Sequence, residues 1–238
     1  MTPLTRSIRH TAFAACAAGI ALAAFPVQAA TVSLSTTAPT VDGADIANLD
    51  LGTSFADFGT SFLWTDRPAR GQTFVTGADP NGYTLSGITL IADRDALETA
   101  SYTIRIGTVT GTAFSPVASE TATIGMDIIE NDYVSFILDT PIALDPSTTY
   151  GFDAGLSSPD GGFSNHGWAL LNNPGGFAGG TAYNSGGSGV GGATISSLNQ
   201  DRLFHLDIAA VPAVPEPSRA LLACLGGLGL IARRRRFC

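Results

Sequence analysis

Lysine is absent from this 238-residue chain, and its three cysteines lie near the ends, at Cys16, Cys224 and Cys238. No disulfide can therefore close within the long stretch between Cys16 and Cys224, so that stretch must be held by apolar burial. Histidine is nearly absent too: His10, His166 and His205 are all there are. A catalytic zinc needs three or four converging His, Cys or carboxylate ligands, and His166 and His205, the two beyond the N-terminal apolar run, lack metal spacing. No G-x-S-x-G nucleophile elbow occurs among the many serines. Nor does any stretch between the termini show a sustained 3.6-residue apolar period, which excludes a helical body.

Positive charge is not only scarce but segregated. Of twelve arginines, Arg6 and Arg9 open the chain, and Arg219 with Arg233, Arg234, Arg235 and Arg236 close it. Arg67, Arg70, Arg94, Arg105 and Arg202 are left to face nineteen acids, a formal charge of −14 for the middle of the chain. A surface of that sign repels nucleic acid and anionic lipid and tolerates cations. The whole-chain charge of −8 conceals this division.

What the ends do contain reads as addressing. Arg6 and Arg9 precede an alanine-rich apolar run from Thr11 to Phe25, followed by Val27-Gln28-Ala29 in a small-x-small pattern. This is the pattern of a secretory signal covering 1–29, cut after Ala29. Phe13-Ala14-Ala15-Cys16 lacks the leucine of a lipoprotein box, and Cys16 lies too early in the apolar run for lipidation. At the other end, residues 212–238 join Pro215-Glu216-Pro217, an uncharged apolar run from Ala220 to Ala232, and the four terminal arginines. The prolines fix φ and remove donors, so they separate a following helix from the body. The arginines resist translocation and keep the terminus cytoplasmic. Thirteen apolar residues span only ~20 Å of a ~30 Å hydrocarbon core, a gap that snorkelling by Arg219 and Arg233 narrows. A transmembrane helix is expected at about 219–232; the alternatives to a sorting role for this tail are a plain membrane anchor and a terminal core helix.

This three-part tail resembles the PEP-CTERM sorting signal of exported bacterial proteins. The resemblance implies processing near Pro215, Glu216 and Pro217 by a membrane enzyme of the exosortase type. It also implies a cytoplasmic stop at Arg233 to Arg236, and residence in the cell envelope or on the extracellular surface.

Between the signals, at 30–211, period-two alternation dominates. Tyr102, Ile104 and Ile106 share one strand face opposite Thr103, Arg105 and Gly107. Val134, Phe136 and Leu138 form another inward row, as do Tyr150, Phe152, Ala154 and Leu156. Phe204, Leu206, Ile208 and Ala210 oppose His205 and Asp207. From Tyr83 to Ala92 the apolar phase switches at Gly87, which predicts a β-bulge. Thr31–Ser35 reads as a first strand, and Phe55, Phe58, Phe62 and Trp64 as aromatics half-buried under a long loop. Short alternating segments separated by Gly, Pro, Asp and Asn predict an all-β fold, an antiparallel β-sandwich that is jelly-roll-like, with one face of each sheet solvated. A closed barrel is the alternative.

The order Gly71-Gln72-Thr73-Phe74, Gly82 to Leu90, Leu144 to Tyr150, Gly167-Trp168-Ala169-Leu170 and Ala178 to Tyr183 is similar to the "choice-of-anchor" exported β-domains. That family has no assigned activity, so the resemblance implies no catalytic residues.

Four features of the body could carry chemistry. Gly187-Ser188-Gly189-Val190-Gly191-Gly192 matches G-x-G-x-x-G, but it lies in a glycine-rich loop without the strand and helix that a dinucleotide site requires. His205 and Asp207, two apart on one strand, are the one candidate hydrolytic dyad. Asp42–Asp45, Asp93–Asp95 and Glu130–Asp132 bring oxygen ligands together for calcium, with turn capping as the competing role. Trp64, Trp168, Phe177 and Tyr183 are candidates for a sugar-stacking platform, although Trp168, in a strand-like run with Leu170, reads first as core. The balance of these readings is an exported, non-enzymatic β-domain protein that needs no cofactor. Its expected partners are the sorting enzyme and the cytoplasmic membrane, and no nucleic acid. A lectin-like module for exopolysaccharide, with calcium as an optional aid, is the runner-up, and a secreted hydrolase the third reading.

Overall fold

The computed structural model describes residues 28–49, 58–59, 62–64, 68–97, 99–125, 127–159, 163–168, 170–171, 177–186, 191–198 and 200–213. In chain order the strands are β1 (Gln28–Ala29), β2 (Thr31–Ser35), β3 (Ile46–Asn48), β4 (Phe58–Gly59), β5 (Phe62–Trp64), β6 (Arg70–Val75), β7 (Tyr83–Ile91), β8 (Ala100–Thr110), β9 (Ala113–Ile124), β10 (Tyr133–Leu144), β11 (Thr149–Pro159), β12 (Phe163–Gly167), β13 (Leu170–Leu171), β14 (Ala182–Ser185), β15 (Ile195–Ser197), β16 (Asp201–Arg202) and β17 (Phe204–Ala210). No helix occurs among the described residues, and hence none long and apolar enough to cross a membrane.

Two main sheets carry the fold. One has seven strands in the order β1-β9-β8-β11-β6-β14-β15; the other has five in the order β2-β10-β7-β17-β3. All neighbours are antiparallel except the edge pair β1 and β9. Each order is open-ended, so among the described residues neither sheet closes into a barrel.

The alternating rows meet in one core. Tyr102, Ile104, Phe152 and Leu156 of the seven-stranded sheet share a buried cluster with Leu85, Ile88, Phe136, Phe204 and Leu206 of the five-stranded sheet. Aromatic pairs join the two sheets directly: Tyr102 meets Phe136 edge-on at 6.4 Å, and Phe152 meets Phe204 at 5.4 Å. Trp168 sits at the end of this row, edge-on to both Tyr102 and Phe136. The bulge expected at Gly87 is present. Gly87 opposes Asp207 while Leu85 opposes Ile208, so Ser86 is the extra residue and the inward phase is reset between Leu85 and Ile88.

The expectation of one solvated face per sheet is not met. On the outer face of the seven-stranded sheet, Arg105 and Asp153 are buried cross-strand neighbours. Arg105 grips the carboxylate with two prongs, Nε to Oδ1 at 2.8 Å and Nη2 to Oδ2 at 2.5 Å. The same Nη2 donates to Ser185 Oγ and to the carbonyl of Gly192, while the guanidinium lies 4.8 Å over the Phe114 ring. Gly71 and Gly151 leave room for the Tyr183 ring to lie across the sheet, and a side chain at Gly71 would collide with that ring. Phe114, Tyr183 and Ile195 thereby form a separate apolar lid over the ion pair.

The glycine-rich loop is tied in at its far end by this cluster. Gly191 adopts φ 79°, and a Cβ there would collide with Ser185 Oγ and Arg105 Nη2. Burial pushes the Asp153 carboxyl above its usual range, a rise that Arg105 and Ser185 only partly offset. Removing one member should therefore cost more than removing both. Arg105→Met is expected to cost about 3–5 kcal/mol in urea unfolding, and Arg105→Met with Asp153→Leu to recover most of that loss.

Candidate functional site

The outer face of the five-stranded sheet is covered by a different device. β2 and β3 occupy opposite edges of this sheet, so residues 36–45 must pass from one edge to the other. Ten residues reach ~33 Å when extended, against ~19 Å across four strand spacings, so the span is easily made. They cross the outer face, because Pro39, Thr40, Asp42 and Asp45 line the same groove as the outward residues of the sheet.

Strand register builds the floor of that groove. Ser33, Ser135, Thr89 and His205 lie side by side on β2, β10, β7 and β17, one row across four strands. Their chain neighbours Val32, Leu34, Val134, Phe136, Ile88, Leu90, Phe204 and Leu206 face the core, which turns this row outward. Thr89 Oγ1 and Ser135 Oγ share a hydrogen bond of 2.8 Å. The next row adds Ile137, Gly87 and Asp207, with Ser86 beside them at the bulge. The open groove between the strap and these rows has a volume of ≈ 620 Å³.

One carboxylate pins the strap. Asp45 Oδ2 accepts from His205 Nε2 at 3.0 Å and from the Asp42 N–H at 2.8 Å; Oδ1 accepts from the Ile208 N–H at 2.8 Å. The Asp45 N–H in turn donates to the Asp42 carbonyl at 2.7 Å, closing a turn around Gly43 and Ala44. Burial by itself would raise the Asp45 carboxyl. The N–H groups of Asp42 and Ile208, with His205, outweigh it and hold the group below its ordinary value of 3.8. Both side chains are almost fully enclosed, at 6 % exposure for His205 and 7 % for Asp45.

The sequence-based candidates are distributed differently from expectation. His205 does not pair with Asp207; it bonds Asp45, 160 positions away, while Asp207 stays exposed at the rim of the groove. Because Nε2 faces Asp45, only Nδ1, next to the backbone, is left to the imidazole, a poor placement for a general base. The acidic loops cap backbone: Asp95 Oδ1 accepts from the Glu130 N–H and Asp132 Oδ2 from the Ile129 N–H, each at 2.8 Å. Among the described residues no three His, Cys, Asp or Glu side chains are grouped to hold a metal. Of the residues named for a stacking platform, the three whose side chains are described do not form one. Trp168 and Tyr183 are buried, and Phe177 packs edge-on against Phe204.

The side chains of Trp64 and His166, residues 187–190 of the glycine motif, the signal before Gln28 and the tail with Pro215, Glu216, Pro217, Arg233, Arg234, Arg235 and Arg236 lie outside the described residues. Ala29 ends β1 beside Thr121, and the N–H of Ala30 donates to the Thr121 carbonyl at 2.8 Å. Comparison with protein-family models, with curated proteins and with solved structures yields no match.

The Asp45 cluster has a definite pH signature. A carboxyl depressed in the folded state contributes stability above its unfolded value, and that contribution is lost as pH falls through the folded one. Asp45→Asn should lower the melting temperature at neutral pH. The gap to the parent should narrow as pH falls below about 4, read by thermal melts across the acid range.

Proposed function

We propose that this chain is an exported, non-enzymatic β-domain protein, displayed at the cell surface or in the extracellular matrix through a PEP-CTERM-type sorting signal. The observation that carries this reading is the ordered tail: Pro215-Glu216-Pro217, the apolar run to Ala232, then Arg233 to Arg236. The signal-like segment ending at Ala29 supports it from the other end, because a cleaved leader and a cytoplasmic arginine stop leave the body on the far side of the membrane. An exosortase-type enzyme is then the processing partner, acting near Pro215, Glu216 and Pro217, and the segment at about 219–232 is the membrane-embedded helix.

The body suits that role. A −14 surface without lysine favours a soluble, non-adhering exterior. With no cysteine between Cys16 and Cys224, its stability rests on a shared apolar core. The finer reading of the fold is a jelly-roll-like β-sandwich, supported by the way the chain changes sheet between β6 and β7, β7 and β8, β9 and β10, and β10 and β11.

Intact mass and location of the mature protein, compared in cells with and without the sorting enzyme, test the reading. The expected result is a product starting at Ala30 that loses its arginine-bearing end only when the enzyme is present. A product that keeps Phe237 and Cys238 in both backgrounds would make the tail a plain anchor.

A further inference from the structure

We propose that the groove between the 36–45 strap and the outer face of the five-stranded sheet is a binding site for a neutral saccharide chain. The proposal takes from the proposed function only that the body faces the outside, where such chains occur. The binding itself can be tested on the isolated protein, wherever the cell puts it.

Size is the first argument. At ≈ 620 Å³ the groove falls within the usual range of ligand sites, roughly 300–1,000 Å³. Its floor crosses four strands, about 14 Å from Ser33 to His205 at ~4.8 Å per strand. Thr89 and His205 are nearly covered at one end, so a short saccharide would lie with its exposed length toward Ser33 and Ser135.

The chemistry of the lining selects the class. Ser33, Thr40, Ser86, Thr89 and Ser135 present hydroxyls, each able to donate once and accept twice. Thr89 and Ser135 spend one donor on each other, and Ser86 donates to the Asp207 carbonyl, so acceptor capacity remains at all three. A polyol, which is itself both donor and acceptor, is the matching partner. Between these hydroxyls lie Pro39 and Ile137, with Ile208 and Ala209 also on the lining, and Ile137 is 48 % exposed. Aliphatic surface beside hydroxyls suits the C–H face of a sugar ring.

Electrostatics excludes the competing classes. Asp42, Asp45 and Asp207 line the groove and no arginine does, so an acidic polymer is repelled. Asp45 has already committed both oxygens to three protein donors, which removes it as a ligand for a cation. The same three bonds hold the strap in place before any ligand arrives, so little ordering is left for binding to drive.

Native electrophoresis of the full chain, kept in a non-glycosidic detergent, through gels containing a neutral β-glucan, dextran or an acidic alginate is the test. At least one neutral polysaccharide is expected to retard the protein, and alginate not to. Ser33→Trp places a bulky group at the exposed end of the floor, and Thr89→Val with Ser135→Ala removes the paired hydroxyls together. Each should weaken retardation at least tenfold with the melting temperature nearly unchanged. The proposal is overturned if no neutral polysaccharide retards the parent, if retardation survives both variants, or if only alginate or a polyamine binds. Loss of binding with intact processing would sink the groove alone; binding by a protein whose tail is never processed would sink the sorting reading alone.

Discussion

The chain enters the five-stranded sheet at one edge and next contributes to it at the other, and that placement of β2 and β3 forces residues 36–45 over the sheet. A segment crossing a sheet face cannot join the ladder, so its polar groups need partners from elsewhere. Asp45 supplies them at a single point, receiving the Asp42 and Ile208 N–H groups and the His205 ring. The groove, its hydroxyl floor and the enclosure of His205 all follow from this crossing. Had β3 lain beside β2, the same face would be open to water and His205 would be an ordinary surface residue.

Both sheets end up covered on their outer sides, by different physics. The five-stranded sheet carries a strap held by one carboxylate. The seven-stranded sheet carries aromatic rings laid flat over glycines, with a two-pronged ion pair beneath them. A buried pair of this kind adds little net stability over well-packed apolar residues. What it does here is fix geometry, because Arg105 reaches from the sheet to Ser185 and to the Gly192 carbonyl and so sets where the glycine-rich segment ends. With no cysteine between Cys16 and Cys224, such polar ties and the shared aromatic core take the place of covalent ones.

Much of the sheet structure was legible in the residues. β8, β10, β11 and β17 carry clean alternation because one of their faces meets the common core, and Gly87 marked its bulge by the change of phase. β9 was not foreseen. Its sequence is mostly Ser, Thr and Ala, its residues are largely exposed, and Pro116 falls where the register slips between Ile106 and Gly107. A half-polar strand with a proline at its bulge leaves little apolar period to read. The site was less legible still. Periodicity puts His205 and Asp207 on one face, but it cannot say that a strap will bring Asp45 to the same face. Arg105 looked solvent-facing because alternation fixes which side a residue takes and not what later covers that side. Trp168 was ambiguous for a similar reason, since a lone bridge to Ala92 carries it into the core.

The measurement closest to the centre of this account is a double-mutant cycle between Asp45 and His205, by urea unfolding of the two alanine variants and their combination. A strap clamped as described predicts a coupling of at least ~1 kcal/mol. Additivity within ~0.3 kcal/mol would mean that the two side chains do not meet, and that the strap and its groove are not as described.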